Sequence, residues 1–286
     1  MYVHGSFFVY WTNAIAFDIM DLKGERSVKI TVLTEDTSLC GLPSEHGLSL
    51  YIEANGRKIL FDTGQSPLFS ENAERLGIDL SLVDTAVISH GHYDHGGGLK
   101  RFLELNKTAP VYLSRHAFEP HYNGDRYIGL DLSLLDCDRL VLTDGELDLG
   151  DGLTLYPASV TPEPEDDGGL TMIKNGEKVA DDFIHEQYLK IVENGTKTLI
   201  SGCSHRGISG ITAAFKPDAL VGGFHFMKME LDEALAEKAE RLSNTETSFF
   251  TCHCTGEAQF GFLKKHVKRL RYISTGDSFE IKGDLL

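Results

Sequence analysis

The sequence is poor in basic residues, in cysteine and in long apolar runs. Lys and Arg number 27 among 286 residues against 43 Asp and Glu, for a formal net charge of −16. Nothing forms a broad basic face to meet phosphates, so no general nucleic-acid partner is expected. The five cysteines, Cys40, Cys137, Cys203, Cys252 and Cys254, are odd in number and contain no C-x-x-C pair. That is no disulfide framework, and it points to a reducing cytoplasm. The aromatic stretch over residues 6–20 is too short and too interrupted to span a bilayer. It also lacks the basic start and small-residue cleavage site of a signal peptide. No membrane partner is expected. Residues 1–27 read as an accessory amino-terminal arm, or else as sequence upstream of a start nearer Met20. An exposed aromatic arm makes a homodimer an expected form, because large apolar patches are unusual on a lone monomer.

What is present suits an enzyme with a sizeable core: 41% of residues are hydrophobic. There is no fixed-period repeat and no low-complexity linker, so residues 28–286 are expected to form one domain. Strands are expected over residues 29–33, over 48–53 and 58–61 around the turn Asn55-Gly56, over 84–89 and over 111–113. Residues 139–142, 146–149 and 153–156 read as a meander. Strands at 188–192 and 198–201 precede three strand–helix units with helices at 208–215, 232–242 and 257–267, and a last strand at 279–282. Short helices are expected at 73–76 and 99–104, and an acidic loop at 166–169.

The densest chemistry is His90-Gly91-His92-Tyr93-Asp94-His95, three imidazoles and a carboxylate in six residues, between Ala86-Val87-Ile88 and Gly96-Gly97-Gly98. A buried strand ending in such a loop can aim several donors at one point. His90 and His92 share a side if the chain is still extended, and Asp94 and His95 then face a second point nearby. Neutral imidazole and carboxylate suit zinc, iron and manganese. Three later strands also end in small residues and a histidine just before a helix: Gly202-Cys203-Ser204-His205, Gly222-Gly223-Phe224-His225 and Cys252-His253-Cys254-Thr255-Gly256. In parallel strands such endings open at one edge of the sheet, the usual place for a ligand site.

The pattern H-x-H-x-D-H resembles the signature of the metallo-β-lactamase superfamily, a group of mostly hydrolytic, often two-metal enzymes. Leu60-Phe61-Asp62-Thr63-Gly64 looks like its first motif. With Glu45-His46-Gly47-Leu48-Ser49-Leu50 and the three strand endings, the chain resembles the 7,8-dihydropterin-6-methyl-4-(β-D-ribofuranosyl)aminobenzene-5′-phosphate synthase-like subgroup over residues 29–282. The resemblance implies an α/β fold, a four-layer αββα sandwich of two mixed sheets packed face to face with helices outside. It implies two divalent metal ions, zinc first and iron or manganese otherwise. His90, His92, Asp94, His95 and His253 are then placed at the metals, Asp94 is also catalytic, and Asp62 orients histidines from behind.

This chain departs from that pattern in two places. Many relatives carry a bridging aspartate where it reads Ser201-Gly202-Cys203, so Cys203 or His205 must substitute, and His205 is the preferred ligand. Cys203 is as readily a small buried hydrophobe. The usual mid-chain histidine has no clear counterpart. His185 is a stand-in, with a plain loop histidine as the other reading. His46 and His225 are candidates for contacts behind the ligands or with substrate, and Arg115 and Arg206 for binding an anionic substrate. Alternation places Cys252 and Cys254 in packing. His4, His121 and His266 read as solvated. The expected activity is hydrolysis of an ester-type bond by metal-activated water, in a phosphodiester or phosphate-bearing small molecule. The alternatives are a pterin-related synthase forming a carbon–nitrogen bond and a non-catalytic metal-binding sensor.

Overall fold

The computed structural model describes residues 27–38, 41–162, 164 and 169–283. The expected arm, apart from Ser27, and most of the acidic loop at 166–169 lie outside the described residues, as do His4 and Cys40. The first half of the chain runs β1 (Val28–Thr34), β2 (Ser49–Ala54), β3 (Arg57–Phe61), α1 (Leu68–Arg75), β4 (Thr85–Val87), α2 (Tyr93–Gly96), α3 (Leu99–Leu105) and β5 (Val111–Ser114). Short strands follow as β6 (His121–Asn123), β7 (Arg126–Tyr127), β8 (Leu140–Thr143), β9 (Leu147–Gly150), β10 (Leu153–Pro157), β11 (Leu170–Lys174) and β12 (Glu177–Ala180). Then come β13 (Gln187–Glu193), β14 (Thr196–Ile200), α4 (Ile208–Phe215), β15 (Ala219–Val221), α5 (Glu233–Ser243), β16 (Ser248–Thr251), α6 (Glu257–Leu263), β17 (Leu270–Tyr272) and β18 (Ser278–Ile281).

Two seven-stranded mixed sheets result, ordered β18-β1-β2-β3-β4-β5-β8 and β17-β16-β15-β14-β13-β10-β9. They share one core, to which the first sheet gives Leu50, Ile52 and Phe61 and the second Leu155, Leu189 and Val221. Leu60, between Ile59 and Phe61, points the other way and packs with Phe69 of α1 and Phe102 of α3. Leu220 and Phe249 of the second sheet pack outward on Leu235 of α5 and Leu263 of α6. Both faces of these strands are apolar because both are covered. Each large side chain so buried contributes roughly 1.5–3 kcal/mol. This is the four-layer α/β arrangement the sequence led us to expect. Asn55-Gly56, with φ of 52° and 82°, closes β2–β3, a left-handed pair whose twist matches the hairpin. Asn175-Gly176 and Asn194-Gly195 do the same for β11–β12 and β13–β14.

Two expectations are corrected. The strands at 139–142, 146–149 and 153–156 are not a meander: β8 pairs in parallel with β5 of the first sheet, and β9 pairs with β10 of the second. Residues 144–146 cross between the sheets, which lets Leu147 and Leu149 pack against the shared core. A third sheet, β12-β11-β6-β7, was not expected at all. The last helix also stops early, at Leu263 rather than at 267. Among the described residues no helix is long and apolar enough to cross a membrane.

Candidate metal centre

β14, β15 and β16 are parallel neighbours, so the loops after them open at one edge, where β3 and β4 of the facing sheet also end. Asp62, just past β3, has a left-handed backbone with φ of 60°. Such a conformation is costly for a residue with a Cβ and marks a position held by its surroundings. Its buried carboxylate accepts from the Ser89 amide at 2.6 Å, the Ser89 hydroxyl at 2.7 Å and His95 Nδ1 at 2.7 Å. Ser89 Oγ in turn meets His90 Nδ1 at 2.8 Å. One aspartate thus orients His95 directly and His90 through a serine. Gly202 is required beside them, because a Cβ there would lie 2.2 Å from Ser89 Oγ.

The rings of His90, His92 and His205 form a compact triangle, with centroids 4.6, 4.9 and 5.0 Å apart. Phe183 stacks flat on His205 at 4.4 Å. Burial first, then the neighbouring imidazoles, push His90 and His205 well below the usual histidine range. Burial likewise lowers His92, with His185 the next contributor. All three are therefore neutral at pH 7, the form that binds metal.

Beside this triangle lies a second nest. Asp94 Oδ2 sits 3.4 Å from His46 Nε2, 3.5 Å from His253 Nε2 and 4.0 Å from His95 Nε2. Asp36 holds the far sides of two of these rings, with Oδ1 2.5 Å from His253 Nδ1 and Oδ2 2.9 Å from His46 Nδ1. The hydrogen bond to Asp36, then the nearby Asp94 carboxylate, raise His46 to about 9. Burial would lower His253, yet the same two carboxylates lift it well above the usual range. Glu35 accepts the His253 amide at 2.9 Å and fixes the turn. Cys203 Sγ lies 3.1 Å from His95 Nε2, and its donor atom clusters both with His90 and His205 and with His95 and His253. Among the described residues it is the one side chain that groups with donors of both nests. Burial, then Cys254, pushes its thiol well up; a bound cation would reverse that by favouring the thiolate.

The residues fit divalent metal. Donors at about 2.0–2.1 Å from a tetrahedral ion are roughly 3.4 Å apart, close to the spacings around Asp94 and too long for good hydrogen bonds. Buried Nε2 atoms of His90, His92 and His253, and both ring nitrogens of His205, have no hydrogen-bond partner among the described residues. Each such atom costs about 1–3 kcal/mol unless something binds it.

A third cluster backs the first nest. Asp181 Oδ2 accepts from His121 Nδ1 at 2.7 Å, Oδ1 lies 3.4 Å from His185 Nε2, and the Gly91 amide donates to His185 Nδ1 at 2.9 Å. The expectation of a solvated His121 is therefore overturned, since its side chain and that of Asp181 are fully buried. His185 is equally buried and is no surface loop residue. It stands behind His92, with ring centroids 5.1 Å apart, and its Nδ1 faces the Gly91 amide.

The structure thus brings together His90, His92, Asp94, His95, His205, His253, Asp62, His46 and Cys203. His225 joins them at the pocket wall, 4.3 Å from His205. It does not bring the two arginines. Arg115 is exposed and pairs with Asp144 at 2.6 Å. Arg206 is buried and donates to the carbonyls of Asp182 and Thr161 at 2.9 and 3.1 Å, so it braces the loop. Cys252 and Cys254 are both buried, Cys252 in the core shared by the sheets and Cys254 at the pocket wall as well. Strict alternation ends there because the strand stops at Thr251 and His253 turns left-handed, with φ of 50°. Asp36, Asp181 and Ser89 escaped the sequence reading. The only available signals were an acid directly after a strand, Glu35-Asp36, and the acidic pair four residues before His185.

A cavity of about 200 Å³ opens over both nests. The third sheet forms part of its wall through Asn123, Arg126 and Leu170, opposite Met227 and Lys228 from the loop after β15.

The family model for the metallo-beta-lactamase superfamily matches residues 43–244. An uncharacterized protein of Methanocaldococcus jannaschii is 30% identical over 239 residues, covering 79% of this chain and 90% of that one. The 7,8-dihydropterin-6-methyl-4-(beta-D-ribofuranosyl)-aminobenzene-5′-phosphate synthase of the same organism is 30% identical over 294 aligned positions, covering 90% of this chain and 98% of its own. Among solved structures, Tm1679, described as a metal-dependent hydrolase of the beta-lactamase superfamily, superposes with a TM-score of 0.76 at 32% identity, over 89% of this chain and 99% of that one. The fold is shared with YhfI of Bacillus subtilis, at a TM-score of 0.57 and 13% identity over 89% of this chain and all of that one.

Proposed function

The chain belongs to the metallo-β-lactamase superfamily, and from that premise we propose that it is a two-metal hydrolase acting on an ester-type bond in a phosphate-bearing small molecule. The observation that carries the reading is the pair of adjacent nests with Cys203 in both. His90 and His205, with His92 beside them, would hold one ion. His95 and His253, with Asp94 and His46 beside them, would hold the other. Imidazole and thiolate donors together favour zinc over magnesium or calcium. Ions held there supply Lewis acidity and bring a water's pKa down to about 7.

The chain's own side chains do the rest. Asp62 and Asp36 fix ring orientations from behind, so the donor atoms stay aimed without reorganisation. Asp94 is both ligand and proton acceptor at the cavity floor. The largely buried triangle, with His90 fully enclosed, keeps bulk water from the rear of the site, and the cavity admits a small molecule rather than a polymer. The test is hydrolysis of bis(p-nitrophenyl) phosphate by zinc-loaded protein. Turnover is expected in the wild type, with a loss of at least a hundredfold in His92→Ala and Asp94→Ala. Full activity in either variant would sink the assignment.

A second reading draws on the Methanocaldococcus jannaschii synthase, which matches over 90% of this chain. On it, the same centre would serve a carbon–nitrogen bond-forming synthase on a pterin-related substrate. Product analysis separates the two: hydrolysis releases an alcohol and an acid, whereas the synthase joins two substrates.

A further inference from the structure

The cavity wall away from the histidines carries two cations for which the proposed hydrolysis has no use. Arg126 sits on β7 of the third sheet, and Lys228 in the loop after β15, and both line the cavity over the metal nests. Neither has a carboxylate partner among the described residues. Elsewhere Arg115 meets Asp144, Lys174 meets Asp182 and Arg269 meets Glu246, pairs of a kind that these two cations lack among the described residues. Among the described residues Asp94 is the only acidic side chain lining the cavity, and it is committed to the second nest. The Arg126 guanidinium lies over the Tyr93 ring, 4.9 Å from its centroid. Tyr93 stands between His92 and Asp94, so this contact ties the arginine to the metal loop. A guanidinium held on an aromatic face keeps its donor fork oriented.

We propose that Arg126 and Lys228 form an anion subsite that binds a non-reacting phosphate dianion of the substrate. The inference rests on the proposed hydrolase reading and narrows it: the substrate carries a phosphate monoester in addition to the bond that is cleaved. Two cations facing one cavity match a double charge. The arginine supplies paired N–H donors to two oxygens, and the lysine a compact point charge. The cavity of about 200 Å³ limits the spacer between the phosphate and the scissile bond to a few atoms. The two cations come from different elements, so a bound dianion also ties the third sheet to the loop after β15.

Phenylphosphonate serves as the probe, because its carbon–phosphorus bond resists hydrolysis. It is titrated calorimetrically into the zinc-loaded full-length protein, with zinc content and thermal midpoint measured on every sample. Arg126→Ala/Lys228→Ala is expected to weaken binding at least tenfold at unchanged zinc content and midpoint. The charge-keeping pair Arg126→Lys/Lys228→Arg is expected to stay within threefold of the wild type. Equal binding by the alanine pair would place the phosphonate elsewhere and overturn the subsite. So would absence of binding to the wild type, or equal weakening in both pairs. Turnover of bis(p-nitrophenyl) phosphate by the wild type is read separately, so failure of the hydrolase reading is distinguishable from failure of the subsite.

Discussion

Asp36 and His253 are 217 positions apart in the chain, yet Asp36 Oδ1 lies 2.5 Å from His253 Nδ1. The other carboxylate oxygen holds His46 Nδ1 at 2.9 Å. One side chain thus sets two imidazoles so that both Nε2 atoms face Asp94. Asp36→Ala frees both rings. It is expected to weaken the second ion by about 10–100-fold while the first, held by His90, His92 and His205, keeps its affinity. Zinc titration against a competing chelator resolves the two. An equal loss at both ions, or none, would contradict the role given to Asp36.

Cys203 occupies the position shared by the two nests. Cobalt-loaded protein is therefore expected to show a near-ultraviolet thiolate-to-cobalt band, which Cys203→Ser removes together with at least tenfold in metal affinity. A band that survives in the variant would assign the thiolate to Cys254, which lines the same pocket.

Burial acts to raise the Asp181 carboxyl, but His121 and His185 hold it well below the usual range. A depressed carboxyl contributes stability that is complete above its unfolded value, roughly 4, and is lost as pH falls through the folded value. The stability gap between wild type and Asp181→Asn is thus expected to be roughly 1.5–3 kcal/mol near neutral pH, the size of hydrogen bonds to a buried carboxylate. It should narrow only below about pH 4. Denaturant unfolding of metal-free protein across that range measures it, and a gap that widens towards acid would refute the assignment.

Leu189 is fully buried between the sheets. Leu189→Ala leaves a cavity there and is expected to cost about 2–5 kcal/mol. Zinc content at 25 °C should not change, because Leu189 lies in the core shared by the two sheets. A loss of metal would mean that the core and the site are coupled more tightly than the packing indicates.

The metal loop was legible because its donors are adjacent in sequence, and the strand endings because each joins an apolar run to small residues and a histidine. Asp36 and Asp181 were not, since a carboxylate that acts by folding against a distant ring leaves no periodic trace. The strands at 139–142 and 146–149 looked like neighbours because a short gap between strands usually closes a hairpin; here it crosses between sheets. The third sheet is built from strands as short as Arg126–Tyr127, both residues exposed, with no alternation to read. Its clearest signal, Asn175-Gly176, is the same turn dipeptide that correctly marked β2–β3. Arg115 and Arg206 were chosen for residue type alone, whereas Arg126 and Lys228 are selected by the cavity they share.

The most direct measurement is metal content per chain by plasma mass spectrometry, on protein purified without chelator and without a histidine tag, beside His90→Ala. Two divalent ions per wild-type chain, with at least one lost in the variant, is the expected result. One ion or none in the wild type, or a variant that keeps both, would contradict a two-metal centre built on His90 and its neighbours.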